Sequence, residues 1–207
     1  LRNDILVAGI QSMARPTEVA KVDMAGGQFS MITDVNGHIY ESIKMGKSEE
    51  RYIKTKDGKD LQMWIIYPPD FDPSKKYPAL LYCKGGPQGP LGQSWSYRWN
   101  YQMMAANGYI VVAVNRRGNS GFGSYWREQI SGDYGGNNMQ DYLDGIDAMA
   151  KEPFVDKDRL GAVGASYGGY SVFYLAGIHN KRFKAFVSHC GVYNTIAEYG
   201  STEEYWY

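Results

Sequence analysis

The first 46 residues read as all-β. Val19-Ala-Lys-Val-Asp23 alternates apolar and polar side chains with period two, and Gly26-Gly27 marks a turn. Gln28-Phe-Ser-Met-Ile-Thr33 alternates again, after which Asn36-Gly37 predicts a second turn into a short strand, His38-Ile-Tyr40. Short strands of this kind need partners that the segment does not itself supply. It therefore reads as a piece of a larger β structure.

From Glu50 the pattern changes. Arg51-Tyr-Ile-Lys-Thr55 and Leu61-Gln-Met-Trp-Ile-Ile-Tyr67 predict a hairpin around Asp57-Gly58. After a loop carrying Pro68, Pro69, Pro73 and Pro78, Ala79-Leu-Leu-Tyr-Cys83 is a short, wholly apolar run of the kind buried in parallel sheets. Trp95, Trp99 and Met103 share one face of a predicted helix that stops at Asn107-Gly108. Tyr109-Ile-Val-Val-Ala-Val114 is the next buried strand, and Met139, Leu143, Ile146 and Ala150 mark a helix that breaks before Pro153. The run from Arg159 to Gly164 then predicts a strand, the residues from Tyr170 to Ala176 a helix ending near Gly177, and Phe186-Val-Ser-His-Cys190 one more strand. Strands alternating with helices imply right-handed βαβ units: an α/β fold with a mostly parallel sheet covered by helices on both faces.

Composition narrows the function. In 207 residues, Lys+Arg and Asp+Glu balance at 22 each, which gives nucleic acid or an anionic membrane surface no electrostatic purchase. No apolar run reaches the length of a membrane span. The opening Leu1-Arg-Asn-Asp-Ile-Leu6 has neither a start methionine nor a signal-peptide pattern, and reads as a cut rather than a natural beginning. Two cysteines, Cys83 and Cys190, offer no metal spacing and no disulfide framework. Each closes a predicted strand, and both are expected to be buried thiols. Compartment, cytoplasmic or periplasmic, stays open, as does assembly into a homo-oligomer.

The candidate chemistry centres on Ser166. Gly164-Ala-Ser-Tyr-Gly168 joins a predicted strand to a predicted helix, the setting in which G-x-S-x-G makes a nucleophile elbow. The serine at the apex takes a strained conformation that lifts its Oγ above the sheet, and the flanking glycines keep Cβ atoms out of the turn. The bland reading of the same five residues is a glycine-rich βα turn. In a parallel sheet the loops after the strands meet at one edge, here Lys84–Pro90, Asn115–Gly123 and the Ser166 turn. Backbone N–H groups of Gly85 or Gly86, with that of Tyr167, could then form an oxyanion hole. A serine also needs a base and an orienting acid, in the chain order Ser, Asp or Glu, His. No aspartate follows Ser166, and His179 and His189 both precede Glu198, Glu203 and Glu204. His179 reads as a helix-end residue. His189 is the internal candidate base, against its plainer role as a packed strand-end histidine.

Gly164-Ala-Ser-Tyr-Gly-Gly-Tyr170, Lys84-Gly-Gly-Pro87 and Arg117-Gly-Asn-Ser-Gly-Phe-Gly123 together resemble the prolyl oligopeptidase family of serine peptidases, within it the acylaminoacyl-peptidase and dipeptidyl-peptidase V branch. The resemblance covers nearly the whole chain. It implies an α/β-hydrolase catalytic domain over residues 47–207, incomplete at its C-terminal end. Residues 1–46 would be the last blade segment and exit of a β-propeller. The triad Asp and His would lie beyond residue 207. It also implies a short peptide as substrate, cleaved through an acyl-enzyme on Ser166 to release dipeptides or acyl-amino acids, with no metal or organic cofactor. Tyr199, Tyr205 and Trp206 are candidates to line an apolar substrate pocket, or else to make plain lid contacts. Lys84 departs from the family, where tyrosine or histidine often stands, so backbone donors are expected to carry the oxyanion. An esterase or lipase would use the same elbow, and an inactive hydrolase serving as a binding module is the rival of a different class.

Overall fold

Two sheets divide the chain. The computed structural model describes residues 5–203. Strands β1 (Leu6–Ser12), β2 (Arg15–Val22) and β3 (Phe29–Met31) are followed by a single helical turn, α1 (Gly37–Tyr40). The hairpin β4 (Ser48–Lys54) and β5 (Asp60–Ile66) comes next, then β6 (Tyr77–Cys83), α2 (Tyr101–Ala106) and β7 (Ile110–Val114). Helices α3 (Ser124–Glu128) and α4 (Asn137–Met149) precede β8 (Val155–Ala165), α5 (Tyr167–Ile178), β9 (Phe183–His189) and α6 (Thr195–Ser201).

The first three strands form an antiparallel sheet, and the other six form a mixed sheet in the order β4-β5-β7-β6-β8-β9. The β4–β5 hairpin pairs Tyr52 with Gln62, as its alternation requires, and β5 runs antiparallel to β7. From β7 through β6 and β8 to β9 every pairing is parallel. β7 and the buried stretches of β6 and β8 are apolar on both faces because both faces are covered, whereas β9 at the edge is largely exposed. Leu81, Val112, Val114 and Ala162 pack under α4 and α5, while Tyr82, Val111, Ala113 and Val163 pack with Ala105 on the opposite face. The α/β-hydrolase pattern of a mostly parallel, helix-covered sheet follows directly.

Two elements depart from the sequence pattern. The helix expected to carry Trp95, Trp99 and Met103 begins only at Tyr101, because the Asn100 side chain caps it by accepting the Met103 N–H at 3.1 Å. Trp95 instead packs edge-on to Tyr40, and Trp99 edge-on to His189. The strand expected over His38–Tyr40 is α1, since the carbonyls of Asn36 and Gly37 capture the N–H groups of Tyr40 and Glu41 at 3.1 and 2.9 Å. The small sheet is tied to the large one through Gln11 and Gln93, whose side chains accept the Trp95 and Met13 N–H groups.

Candidate active site

Ser166 stands alone at the end of β8. Its backbone is left-handed, φ 58° and ψ −123°, a conformation that costs on the order of 1–3 kcal/mol for a non-glycine residue. The surroundings hold it there. Its N–H donates to the His189 carbonyl at 3.0 Å, and its own carbonyl accepts the Tyr170 N–H at 3.0 Å as α5 begins. The glycines are required by close approach. A Cβ at Gly168 would lie 2.1 Å from the Cys83 carbonyl oxygen, and one at Gly164 would lie 2.4 Å from the Gly168 carbonyl oxygen. Bare backbone is the only fit. Ser166 is exposed between buried Ala165 and Tyr167, so its hydroxyl faces open space.

That space is a cavity of about 240 Å³ lined by Gly86, Pro87, Tyr134, Ser166, Tyr167, Tyr170, Val192, Thr195, Glu198, Tyr199 and Thr202. Its floor includes the loop after β6. Gly85 packs against the Ala165 carbonyl, which a Cβ there would meet at 2.8 Å, and Gly86, with φ 140°, lines the cavity. The Lys84 N–H donates to the Tyr142 hydroxyl at 3.0 Å. Next to this loop stands Tyr167, whose hydroxyl donates to the Tyr134 carbonyl at 2.9 Å and accepts from the Asn138 amide. Burial pushes the Tyr167 phenol well above its ordinary value.

The loop after β7 braces this floor. Asn115 accepts the Leu91 N–H at 2.9 Å and donates to the Leu91 carbonyl at 2.8 Å, fixing the far end of the Gly85–Gly86 loop. Arg117 binds Asp141 through its backbone N–H and guanidinium, and grips Asp57 with two bonds of 2.9 Å. This guanidinium holds the Asp57 carboxyl well below the usual carboxylate range.

The structure thus gathers Ser166, Tyr167, Gly86 and Tyr199 around one cavity, with Gly85 behind it. Tyr205 and Trp206 lie outside the described residues. His189 meets the turn through its carbonyl; its ring lies 5.4 Å from Trp99, and no hydrogen bond joins it to Ser166 among the described residues. His179 caps α5 and accepts the Phe183 N–H through Nδ1. Cys83 is buried, but Cys190 is exposed, because the chain leaves the sheet at His189 and turns at Cys190 with φ 45°. The expectation of two buried thiols fails there. Sequence pattern did not single out Tyr134, Val192 or Glu198, which reach the cavity from loops and from α6. Among the described residues no cluster of metal-ligating side chains occurs, and no helix is long and apolar enough to cross a membrane.

Residues 95–207 match the model of the prolyl oligopeptidase family. Over all 207 residues the chain is 51% identical to dipeptidyl-peptidase 5 of Porphyromonas gingivalis. The chain belongs to the prolyl oligopeptidase family. It spans 30% of the length of that relative. It is also 33% identical over 198 residues to dipeptidyl-peptidase 5 of Schizosaccharomyces pombe, covering 95% of this chain and 28% of the relative. Among solved structures, Pyrococcus horikoshii acylaminoacyl peptidase superposes with a TM-score of 0.88 at 29% identity, over 98% of this chain and 32% of that one. Porphyromonas gingivalis dipeptidyl peptidase 4 does so with a TM-score of 0.77 at 28% identity, over 91% and 27%. These likenesses place the six-stranded sheet in the catalytic-domain fold of this family of serine peptidases, and do not favour an esterase or a binding module.

Proposed function

We propose that the protein containing this chain is a serine exopeptidase that releases dipeptides from short peptides through an acyl-enzyme on Ser166. The observation that carries the reading is the left-handed Ser166, exposed at a cavity that Gly86 and Tyr167 also line. Attack of Oγ on the scissile carbonyl makes an oxyanion, which the N–H groups of Tyr167 and Gly86 receive at the start of α5, where the helix dipole adds to them. Gly86 is the inward-facing member of the glycine pair, since it lines the cavity while Gly85 packs against Ala165. A histidine oriented by an aspartate, contributed from outside this stretch, takes the Oγ proton and returns it to the leaving amine. Tyr170, Val192 and Tyr199 receive the side chain before the cut, which favours apolar residues there. Residues 1–46 belong to the end of a β-propeller, a reading that the antiparallel β1–β2–β3 sheet supports.

Dipeptide release rests on the name dipeptidyl-peptidase 5 carried by two Porphyromonas relatives that are 51% and 49% identical over all 207 residues. The test is to treat the full-length protein with a fluorophosphonate and to identify products from tri- to hexapeptides by mass spectrometry. Labelling confined to Ser166, with dipeptides as first products, is expected. Labelling of another serine, or cleavage in peptide interiors, would overturn the assignment.

A further inference from the structure

Two arginines stand side by side after β7, and their partners differ in kind. Arg117 is neutralised by Asp141 and Asp57. Arg116 is wholly buried, at 0% exposure, and has no carboxylate partner among the described residues. Its Nη2 donates to the Pro87 carbonyl at 3.0 Å, its Nη1 to the Arg117 carbonyl at 2.9 Å, and its Nε to the Tyr142 hydroxyl at 3.1 Å. Its Cζ lies 4.7 Å from the Tyr167 ring centroid and 5.6 Å from that of Tyr142. A buried cation held only by neutral groups is costly, and a protein filling core volume would do better with an apolar side chain.

The contacts say what the cost supports. The Tyr142 hydroxyl that accepts from Arg116 also accepts the Lys84 N–H, so one guanidinium fixes the loop on both sides of Gly85-Gly86. Its third face lies on the ring of Tyr167, the residue after Ser166. Every segment that presents an oxyanion donor therefore touches Arg116 directly or through one hydroxyl. Its charge is uncompensated and shielded from water, so it acts at low dielectric on any anion formed above it.

We propose that Arg116 is a positioning residue for the oxyanion hole, holding Pro87, Lys84 and Tyr167 in place and supplying a positive field beneath the developing charge. This rests on the serine-peptidase reading above. A charge that matters only when the oxyanion forms affects kcat and leaves ground-state binding alone. In the full-length enzyme, assayed on a dipeptidyl 4-nitroanilide with an apolar second residue, Arg116→Met is expected to lower kcat about 10²-fold with KM within about threefold. Arg116→Lys keeps the charge but cannot span three acceptors, and should recover about tenfold of that loss. Arg116→Met that folds and keeps wild-type kcat, or that raises KM alone, overturns the proposal. Should Arg116→Met fail to fold, Tyr142→Phe decides: it cuts only the hydroxyl joining Arg116 to Lys84, and is expected to lower kcat about fivefold, whereas an unchanged kcat overturns the proposal. An inactive wild type would remove the serine-peptidase reading and this inference together; an active wild type beside an equally active Arg116→Met removes this inference alone.

Discussion

Below Ser166, the loops at 84–87 and 115–119 are joined through Arg116, Tyr142 and Asn115, all buried and all bonded to backbone. Across the cavity, residues 192–202 contain no buried side chain, and Tyr193, Ile196 and Tyr199 are 84%, 84% and 68% exposed. What fixes α6 locally is its cap, Asn194, which accepts the N–H groups of Ile196 and Ala197. The difference follows the chemistry. The floor must meet a charge that exists only in the transition state, so its donors have to be aimed in advance and cannot spend energy reorienting. The wall meets a side chain that is present before and after the reaction, so its contacts serve substrate and transition state alike.

Mutations on the two sides should therefore fail differently. Gly86→Pro removes a backbone N–H from the floor and cannot hold φ 140°; in the full-length enzyme kcat is expected to fall about 10²–10³-fold. KM should move less than tenfold, because the cavity walls remain. A kcat within threefold of wild type, measured on protein with unchanged circular dichroism, would show that the donors lie elsewhere. On the wall, Tyr199→Ala should raise KM for substrates with an apolar residue before the cut about tenfold, the equivalent of ~1.4 kcal/mol of apolar contact. Its kcat should stay within about threefold. Steady-state kinetics on a substrate series from alanine to phenylalanine at that position reads both, and a fall in kcat with unchanged KM would erase the distinction between floor and wall.

Much of the floor was legible in sequence because it is made of backbone. Glycines at 164 and 168 report a close approach, and the structure shows the approach: the Cys83 and Gly168 carbonyl oxygens occupy the space of the missing Cβ atoms. The buried stretches of β6, β7 and β8 were equally readable, since strands covered on both faces have no polar alternation to blur; the charged, largely exposed start of β8, Asp156–Arg159, was not. The wall was not legible. Val192, Thr195 and Glu198 follow no period that marks a cavity, and they meet Tyr134 and Tyr170 only after β9 has paired beside β8. The Trp95–Met103 spacing misled for a related reason: a helical period shows which residues could share a face, but Asn100 decides where the helix starts. Arg116 was hidden by its neighbour. Two consecutive arginines look alike in sequence, and only Asp141 and Asp57 on one of them make the other conspicuous.

Lys84 tests how far the floor's electrostatics extend, and the smallest effect is expected there. Its backbone N–H serves the floor, but its side chain does not line the cavity; a Cβ at Gly89 would lie 3.4 Å from Nζ, which places the ammonium against the 87–90 turn. Burial, followed by the positive charge of Arg116, lowers its pKa. A lysine whose folded-state pKa lies below its unfolded value of about 10.4 opposes folding most strongly while both states carry the proton, and the opposition fades as pH rises from the folded value towards the unfolded one. Lys84→Met keeps the half-buried stem and removes the charge. It should therefore raise the melting temperature at pH 7, and the gain over wild type should shrink steadily as the pH is taken above 9. The kcat at pH 7 is expected to stay within about threefold, because the backbone donors are untouched. Scanning calorimetry of both proteins from pH 7 to 10.5, with kcat at pH 7, makes the measurement. A melting temperature that drops at pH 7, together with a kcat loss approaching that of Gly86→Pro, would make the ammonium a partner of the oxyanion and extend the working floor to Lys84.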